Sequence, residues 1–457
     1  MTRLTTKLNK GAWLIASVLT ASHAFAETPM EQALKVEGAK PIIPVTEVKK
    51  GFDKKTVDEA RSRFSNFHMQ MGGDDALYYT TQMTEFMPAA LAMPSGKVSE
   101  LPRNIDSSLG KLTYTLGDGT TSMTMNDYIH DSKTRVQGVM ILKAGEVVYE
   151  EFPGMEPDSA HIWASVAKTT VGTLLTMLEA EGRVDTSKPI TDHVPELKGT
   201  PWDSVSLIDA MNMASGLDIT EDARNTLDPR SVFQRMLAAD FNVVNADGEI
   251  EDEMEVLRGA KKLDNEPAGT AARYSSVITK VLVAVIEDVT GQTFTDVLEE
   301  RIWSKIGARA SVSVNLSPAG LAIGYGAVNS RLDDLARYGM IFTPSWNKVS
   351  EEQIVSPRVL EKMQKGGDHE AYLKGDFTDH SWVKSSFGKD MPIFNSHQWD
   401  AVWEDGALFK HGNLYQSIYV DPARDVVGVA FSTSPVYLTP DLLPGYLRQA
   451  AKKLTAE

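Results

Sequence analysis

Hydrophobic positions recur along this chain with two different periods, and the two periods occupy different regions. Val136-Gln-Gly-Val-Met-Ile-Leu142 and Glu146-Val-Val-Tyr-Glu-Glu-Phe152 are β-branched, apolar runs either side of Lys143-Ala144-Gly145, which predicts a β-hairpin. From Ser165 to Glu181 the spacing becomes helical: Val166, Val171, Leu174, Leu175 and Leu178 return on one face, and Gly182 is a natural stop. The same reasoning predicts helices over 205–214, 276–289 (closed by Gly291), 293–306 and about 441–454. Two late strand-like runs, 418–420 and 426–431, flank the turn Asp421-Pro422-Ala423-Arg424. Residues 218–262 read as a longer excursion with a loop at 245–248. Residues 27–70, with Pro29, Pro41 and Pro44, read as an irregular arm around the main domain, and 71–130 mix short apolar runs with Gly, Pro and Ser.

Strands, then many helices, then strands is the order of an α+β fold. Early and late strands are expected to share one antiparallel sheet flanked by helices, with a mainly helical subdomain inserted at about 185–400. A length of 457 residues exceeds the usual single core and suggests one large or two interlocked domains. The expected division is a signal peptide at 1–26, an N-terminal arm and extension at 27–130 packing on the core, and the main domain at 131–457. The signal is read from basic Arg3, Lys7 and Lys10, an apolar run over 11–21, and Ala24-Phe25-Ala26 as a cleavage site before Glu27. The apolar run is shorter than the roughly 20 residues of a membrane span. The mature chain is therefore expected to be periplasmic or secreted, without membrane insertion.

Composition narrows the chemistry. Hydrophobic residues are 42% and charged residues 24%, ordinary for a globular protein. Without cysteine there is no disulfide, thiolate metal site or cysteine nucleophile. A net charge of −16 argues against nucleic-acid binding. Nine histidines include no HExxH pair, and the acidic stretch from Asp247 to Glu255 lacks the spacing of a calcium loop, so no metal is expected. No phosphate-binding glycine loop appears, so nucleotide binding is unsupported, and no GxSxG elbow appears, which disfavours the α/β-hydrolase family; no cofactor is expected.

One motif remains. Ser165-Val-Ala-Lys168 places a hydroxyl and an amine three residues apart, on one face of a helix at its N-terminus. The amine can activate the hydroxyl, and the helix N–H groups suit a developing oxyanion. Ser-x-x-Lys occurs five times here, also from Ser108, Ser345, Ser381 and Ser386, but only Ser165 opens a strong apolar helix after a hairpin. A serine helix cap is the plain structural alternative.

The surrounding motifs add to this: His161-Ile-Trp-Ala-Ser165-Val-Ala-Lys168, Gly182-Arg-Val-Asp, Pro189 to Leu197, Met213-Ala-Ser-Gly-Leu217, Pro267-Ala-Gly269, Tyr274-Ser-Ser276, Asp333 to Gly339, and His411-Gly-Asn413. Together they resemble the serine β-lactamase and penicillin-binding-protein superfamily, over about 131–457 and more faintly over 70–130. The nearest resemblance is to the class C β-lactamase-like esterases and amidases that include 6-aminohexanoate-dimer hydrolases. The resemblance implies Ser165 as acylated nucleophile, Lys168 as its proton partner, and Tyr274 as general base in acylation and acid to the leaving group. A cationic Lys168 beside the phenol would favour phenolate, while burial would favour the neutral amine. Lys410-His411-Gly412, followed by Asn413, stands where the family has Lys-Thr-Gly. An alternative register makes Lys410 the residue whose N–H faces the substrate. The backbone N–H of Ser165 and one from Lys410 to Asn413 would form the oxyanion hole. His411 would touch substrate or make a structural hydrogen bond, and Trp382, Trp399, Trp403 and Tyr415 would line the pocket or pack in the core. Ser276 replaces the Asn of the family's Tyr-x-Asn, which disfavours a penicillin substrate.

The expected protein is thus an exported serine hydrolase cleaving a small amide or ester through an acyl-serine. A β-lactamase, a D-amino-acid peptidase, and a non-catalytic periplasmic binding protein that retains the fold are the alternatives.

Overall fold

The computed structural model describes residues 35–435 and 439–455; the expected signal peptide lies outside them. Eleven strands appear among the described residues. A seven-stranded antiparallel sheet is built from β2 (Val136–Lys143), β3 (Glu146–Glu151), β7 (Phe394–Ser396), β8 (Trp399–Val402), β9 (Leu408–Gly412), β10 (Gln416–Asp421) and β11 (Val426–Ser432), in the order β3-β2-β11-β10-β9-β8-β7. Early and late strands share it as expected: Lys143 pairs with Val426 and Met140 with Val429. At the β2–β3 turn, Ala144 and Gly145 both have positive φ, the tight-hairpin geometry that glycine favours. A second antiparallel sheet, β1-β5-β6-β4, joins β1 (Ala89–Ala92), β4 (Ala160–Ile162), β5 (Val312–Asn315) and β6 (Val328–Arg331).

The two-residue period of the central strands distributes their side chains between two cores. Met140, Leu142, Val427, Val429 and Phe431 face the larger core. Val139, Ile141, Val426 and Ala430 face a smaller one, capped by Tyr446 and Leu447 of the C-terminal helix Leu443–Lys453. Both faces are covered, so these strands read as continuous apolar runs rather than alternating ones.

The helix Lys168–Ala180 runs through the larger core and is buried on nearly every face. Its buried threonines are satisfied inside the helix: Thr173 donates to the Thr169 carbonyl at 2.7 Å and Thr176 to that of Gly172 at 2.6 Å. At Gly172 a Cβ would lie 2.0 Å from the His397 carbonyl oxygen, so only glycine allows this approach. The predicted long helix at 276–289 is Ser276–Thr290, ended by left-handed Gly291. The excursion at 218–262 holds three short helices, Ala223–Leu227, Val232–Asp240 and Glu253–Arg258. It is tied to Ser276–Thr290 by a buried ion triad. Lys280 Nζ lies 2.5 Å from Asp240 and 2.6 Å from Glu253, and the Tyr325 hydroxyl donates to Asp240 at 2.6 Å.

The expected irregular arm is instead helical in part: Lys54–Ser62, Asn66–Met71 and Asp74–Tyr79 are three short helices. Asp53 and Ser65 cap the first two by accepting the Thr56 and His68 N–H groups. Arg63 and buried Asp75 form a bidentate pair at 2.8 and 3.0 Å that clamps the first helix to the third. Downstream, fully buried Arg337 of the helix Leu332–Met340 binds Asp333, Asp334 and the Ser99 carbonyl. The Asp333–Gly339 motif therefore fastens the extension to the core.

Candidate active site

Ser165 lies in a 3₁₀ turn, Ala164–Ala167, and the α-helix begins only at Lys168. The sequence places that α-helix from Ser165; the first turn is tighter than its periodicity indicates. Its entry is strained, because Ala164 has φ +46° without being glycine. Both neighbours are pinned: the Ile162 N–H donates to the Thr80 carbonyl at 2.7 Å, the Trp163 N–H to that of Val328 at 2.8 Å, and the Trp163 indole to Ser330 Oγ at 2.9 Å. The fold thus holds the serine on a raised turn that the chain would not adopt alone.

Lys168 is completely buried. Its Nζ lies 3.0 Å from Ser165 Oγ, 2.8 Å from Ser276 Oγ and 2.8 Å from the Tyr325 carbonyl. Burial lowers its pKa from 10.5 to about 7, helped by the Lys410 charge and opposed by Glu221 and Asp400. Near neutrality the amine is thus divided between two forms. The ammonium donates to all three oxygens. The neutral amine keeps two donors, and its lone pair can accept the Ser165 proton.

Tyr274 precedes the helix Ser276–Thr290 and lies between two amines. Lys168 Nζ is 5.0 Å and Lys410 Nζ 4.6 Å from its ring centre, and Lys410 Nζ is 3.5 Å from its hydroxyl. Its phenol is also hydrogen-bonded with Ser165. Burial, then Asp400 and Glu221, raise the phenol well above its ordinary value of 10.0, outweighing the hydrogen bond to Ser165. These influences favour the protonated form of the Tyr274 hydroxyl, while Lys168 is the more readily deprotonated of the two.

The four residues from Lys410 to Asn413 divide between the faces of β9 and its end. Lys410 points its side chain at Tyr274 and is paired with Asp400 of β8 at 2.5 Å. Its amine lies 3.5 Å from the Tyr274 hydroxyl. Burial lowers the Lys410 pKa and Asp400 opposes this. The His411 N–H donates to Asp400 at 3.0 Å, while its ring turns away, 2.9 Å from Asp441 and stacked on Trp382. Its hydrogen bond is the structural one. Gly412 passes the Ser165 turn so closely that a Cβ would lie 2.8 Å from the Trp163 carbonyl. Asn413 borders the cavity at Ser165 and donates to the Gln70 carbonyl at 3.2 Å. Trp399, Trp403 and Tyr415 are core residues, and Trp382 packs on His411.

Three carboxylates here were not foreseen. Glu221 borders the Ser165 cavity, accepts the Ser276 N–H at 2.5 Å, and donates its own N–H to the Tyr274 carbonyl at 2.9 Å. Asp400 holds Lys410. Asp376, raised to about 7 chiefly by burial, accepts the Tyr274 N–H at 3.2 Å. Only Glu221 had a signal, standing four residues beyond the Met213–Leu217 motif. Among the described residues no cluster of three or more His, Asp or Glu could hold a metal ion.

A 6-aminohexanoate-dimer hydrolase from Paenarthrobacter ureafaciens is 28% identical over 304 residues, 66% of this chain and 74% of that protein. A β-lactamase from Providencia stuartii is 36% identical over 55 residues, 12% of this chain and 14% of its own. A solved structure from Bacillus anthracis, described as that of a candidate 6-aminohexanoate-dimer hydrolase, superposes with a TM-score of 0.65 at 21% identity. The superposition covers 83% of this chain and 93% of that one. The beta-lactamase family profile matches residues 125–452. The chain belongs to the beta-lactamase family and is a hydrolase of that fold.

Proposed function

We propose that this protein hydrolyses a small amide or ester by acyl transfer to Ser165, with Lys168 as the base. The observation that carries this is Lys168 Nζ, 3.0 Å from Ser165 Oγ in a water-poor pocket that lowers the amine to about 7. Neutral Lys168 takes the Ser165 proton as Oγ attacks the carbonyl carbon. The oxyanion is held by the Ser165 N–H at the start of its turn and by the Asn413 N–H just beyond β9. The His411 N–H is already bound to Asp400, which favours Asn413 for this part. As the tetrahedral adduct collapses, the Tyr274 hydroxyl protonates the departing nitrogen or oxygen, and the Lys168 ammonium returns the proton to Tyr274. Water then attacks the acyl-serine, its proton passes back through the same pair, and Ser165 is restored. Lys410, held by Asp400, stands beside the phenol while it passes its proton.

This reading predicts the pH profile. Only unprotonated Lys168 is a base, so kcat/KM for a chromogenic ester should rise tenfold per pH unit below about 7 and level off above it. The same limb should govern the rate at which a fluorophosphonate labels Ser165. Asp376 titrates in the same window, so Asp376→Asn should leave the limb in place, whereas Lys168→Arg should abolish the plateau. A profile unchanged in Lys168→Arg would overturn Lys168 as the base.

Gly412→Ala tests the approach of β9 to the nucleophile's turn. The added methyl must push β9 off the Trp163 carbonyl and spread the two N–H donors. Activity should fall about 10²-fold, with about 1–3 kcal/mol of stability lost to overpacking, read by chemical denaturation.

Ser276 in place of Asn supports an ordinary amide or ester rather than a penicillin, since its hydroxyl is engaged by Lys168. Export is part of the proposal and rests on the tripartite sequence of residues 1–26. Among the described residues no helix is long and apolar enough to cross a membrane.

A further inference from the structure

The cavity at Ser165 is walled partly by residues that precede the family match. We infer that the N-terminal extension forms the acyl-binding wall of this site and restricts it to a short, uncharged, apolar acyl group; this rests on the Ser165 reading above. Asn66, Met69, Gln70 and Thr80 of the extension border the cavity, and all lie before residue 125, where the match begins. They are fixed there. Gln70 accepts from Asn413, Thr80 accepts from Ile162 N–H, and Gly72 packs so tightly that a Cβ would lie 2.9 Å from Leu414. Phe64 stacks on Phe86 at 4.1 Å and on Phe241, a cavity residue, at 5.9 Å.

Two observations identify the occupant. Polar side chains border the cavity at Ser165, Glu221 and Ser276 and, from the extension, at Asn66, Gln70 and Thr80, but Met69, Phe233, Leu237, Phe241, Ile323 and Leu414 make much of its wall apolar, and its one carboxylate, Glu221, is engaged by the Ser276 N–H. Tyr274 does not border the cavity, lying instead against Lys410 and Phe377. The leaving group must meet Tyr274 to be protonated, so it departs on that side. What remains bonded to Ser165, the acyl chain, takes the cavity. The volume is about 90 Å³, against about 150 Å³ for an engineered cavity that admits benzene, which suggests an acyl chain of about four carbons.

The test is hydrolysis of p-nitrophenyl esters from acetate to octanoate by the native protein, Met69→Ala and Met69→Phe. The native kcat/KM should peak near butyrate, where each fitted methylene adds about fourfold, and fall at least tenfold by octanoate. Met69→Ala should raise the octanoate-to-butyrate ratio of kcat/KM at least tenfold. Met69→Phe should move the peak to acetate, and opposite shifts cannot both come from misfolding. Fluorophosphonate labelling of each variant separates the two levels. Labelled Ser165 with an unmoved optimum overturns the acyl wall; absent labelling overturns the Ser165 reading and the wall with it.

Discussion

Ser165→Ala should lower kcat for any ester or amide the protein turns over by about 10⁴- to 10⁶-fold, the scale seen when the nucleophile of a serine hydrolase is removed. It should also abolish the single fluorophosphonate adduct seen by intact mass. The size follows from the geometry: Ser165 Oγ is the hydroxyl 3.0 Å from Lys168 and hydrogen-bonded with Tyr274. The other serine within reach of Lys168, Ser276, opens a helix whose first N–H is held by Glu221. The fold should persist, because the Ser165 side chain caps no helix and alanine fits the same turn. An unchanged Tm within a few degrees, with turnover and labelling both lost, is the expected result. Turnover or an adduct surviving in Ser165→Ala would overturn the nucleophile, and a binding protein that retains the fold would become the better reading.

Lys280→Met should cost about 3–5 kcal/mol of stability, because it leaves Asp240 and Glu253 buried without their cation. Asp240 is already raised by burial, with Lys280 pulling it down; removing the amine raises it further. The folded variant then holds a proton that the unfolded chain releases above the ordinary carboxylate range. Its stability falls as pH rises through that window, so the deficit should be larger at pH 8 than at pH 5. Denaturant melts at the two values check both size and sign. Adding Asp240→Asn and Glu253→Gln should recover part of the loss. A deficit independent of pH, or one left whole by the triple change, would mean that the cost comes from repacking rather than from stranded charge.

Much of the frame was legible because it is local. The hairpin at Val136, the helix closed by Gly291 and the late strand pair each carry their own period and turn residues. Ser165 and Lys168 were legible because three residues along a helical turn fix their distance, and the chemistry of a hydroxyl beside an amine needs no more. Tyr274 had no such local signal and was reached only through the resemblance of several ordered motifs. Strand alternation separates Lys410 from His411, but which of them turns to the site is decided by Asp400 on the neighbouring strand. The upward push on the Tyr274 phenol has no local signal for the same reason: Asp400 and Glu221 reach it from distant parts of the chain, and no spacing announces them. The helices of the extension were missed because six to nine residues are too few to show a period. Asp53 and Ser65 did mark two of their starts.

The pairing of β2 with β11 also governs how the chain reaches its fold. Val136 finds its partner at Ser432 and Lys143 at Val426, almost at the other end of the polypeptide. During synthesis the β2–β3 hairpin therefore emerges long before the strand that completes its sheet, and closing that gap places this protein among slow, high-contact-order folders. A nascent chain stopped before residue 426 would carry an apolar strand edge with nothing to pair against, a ready substrate for chaperones.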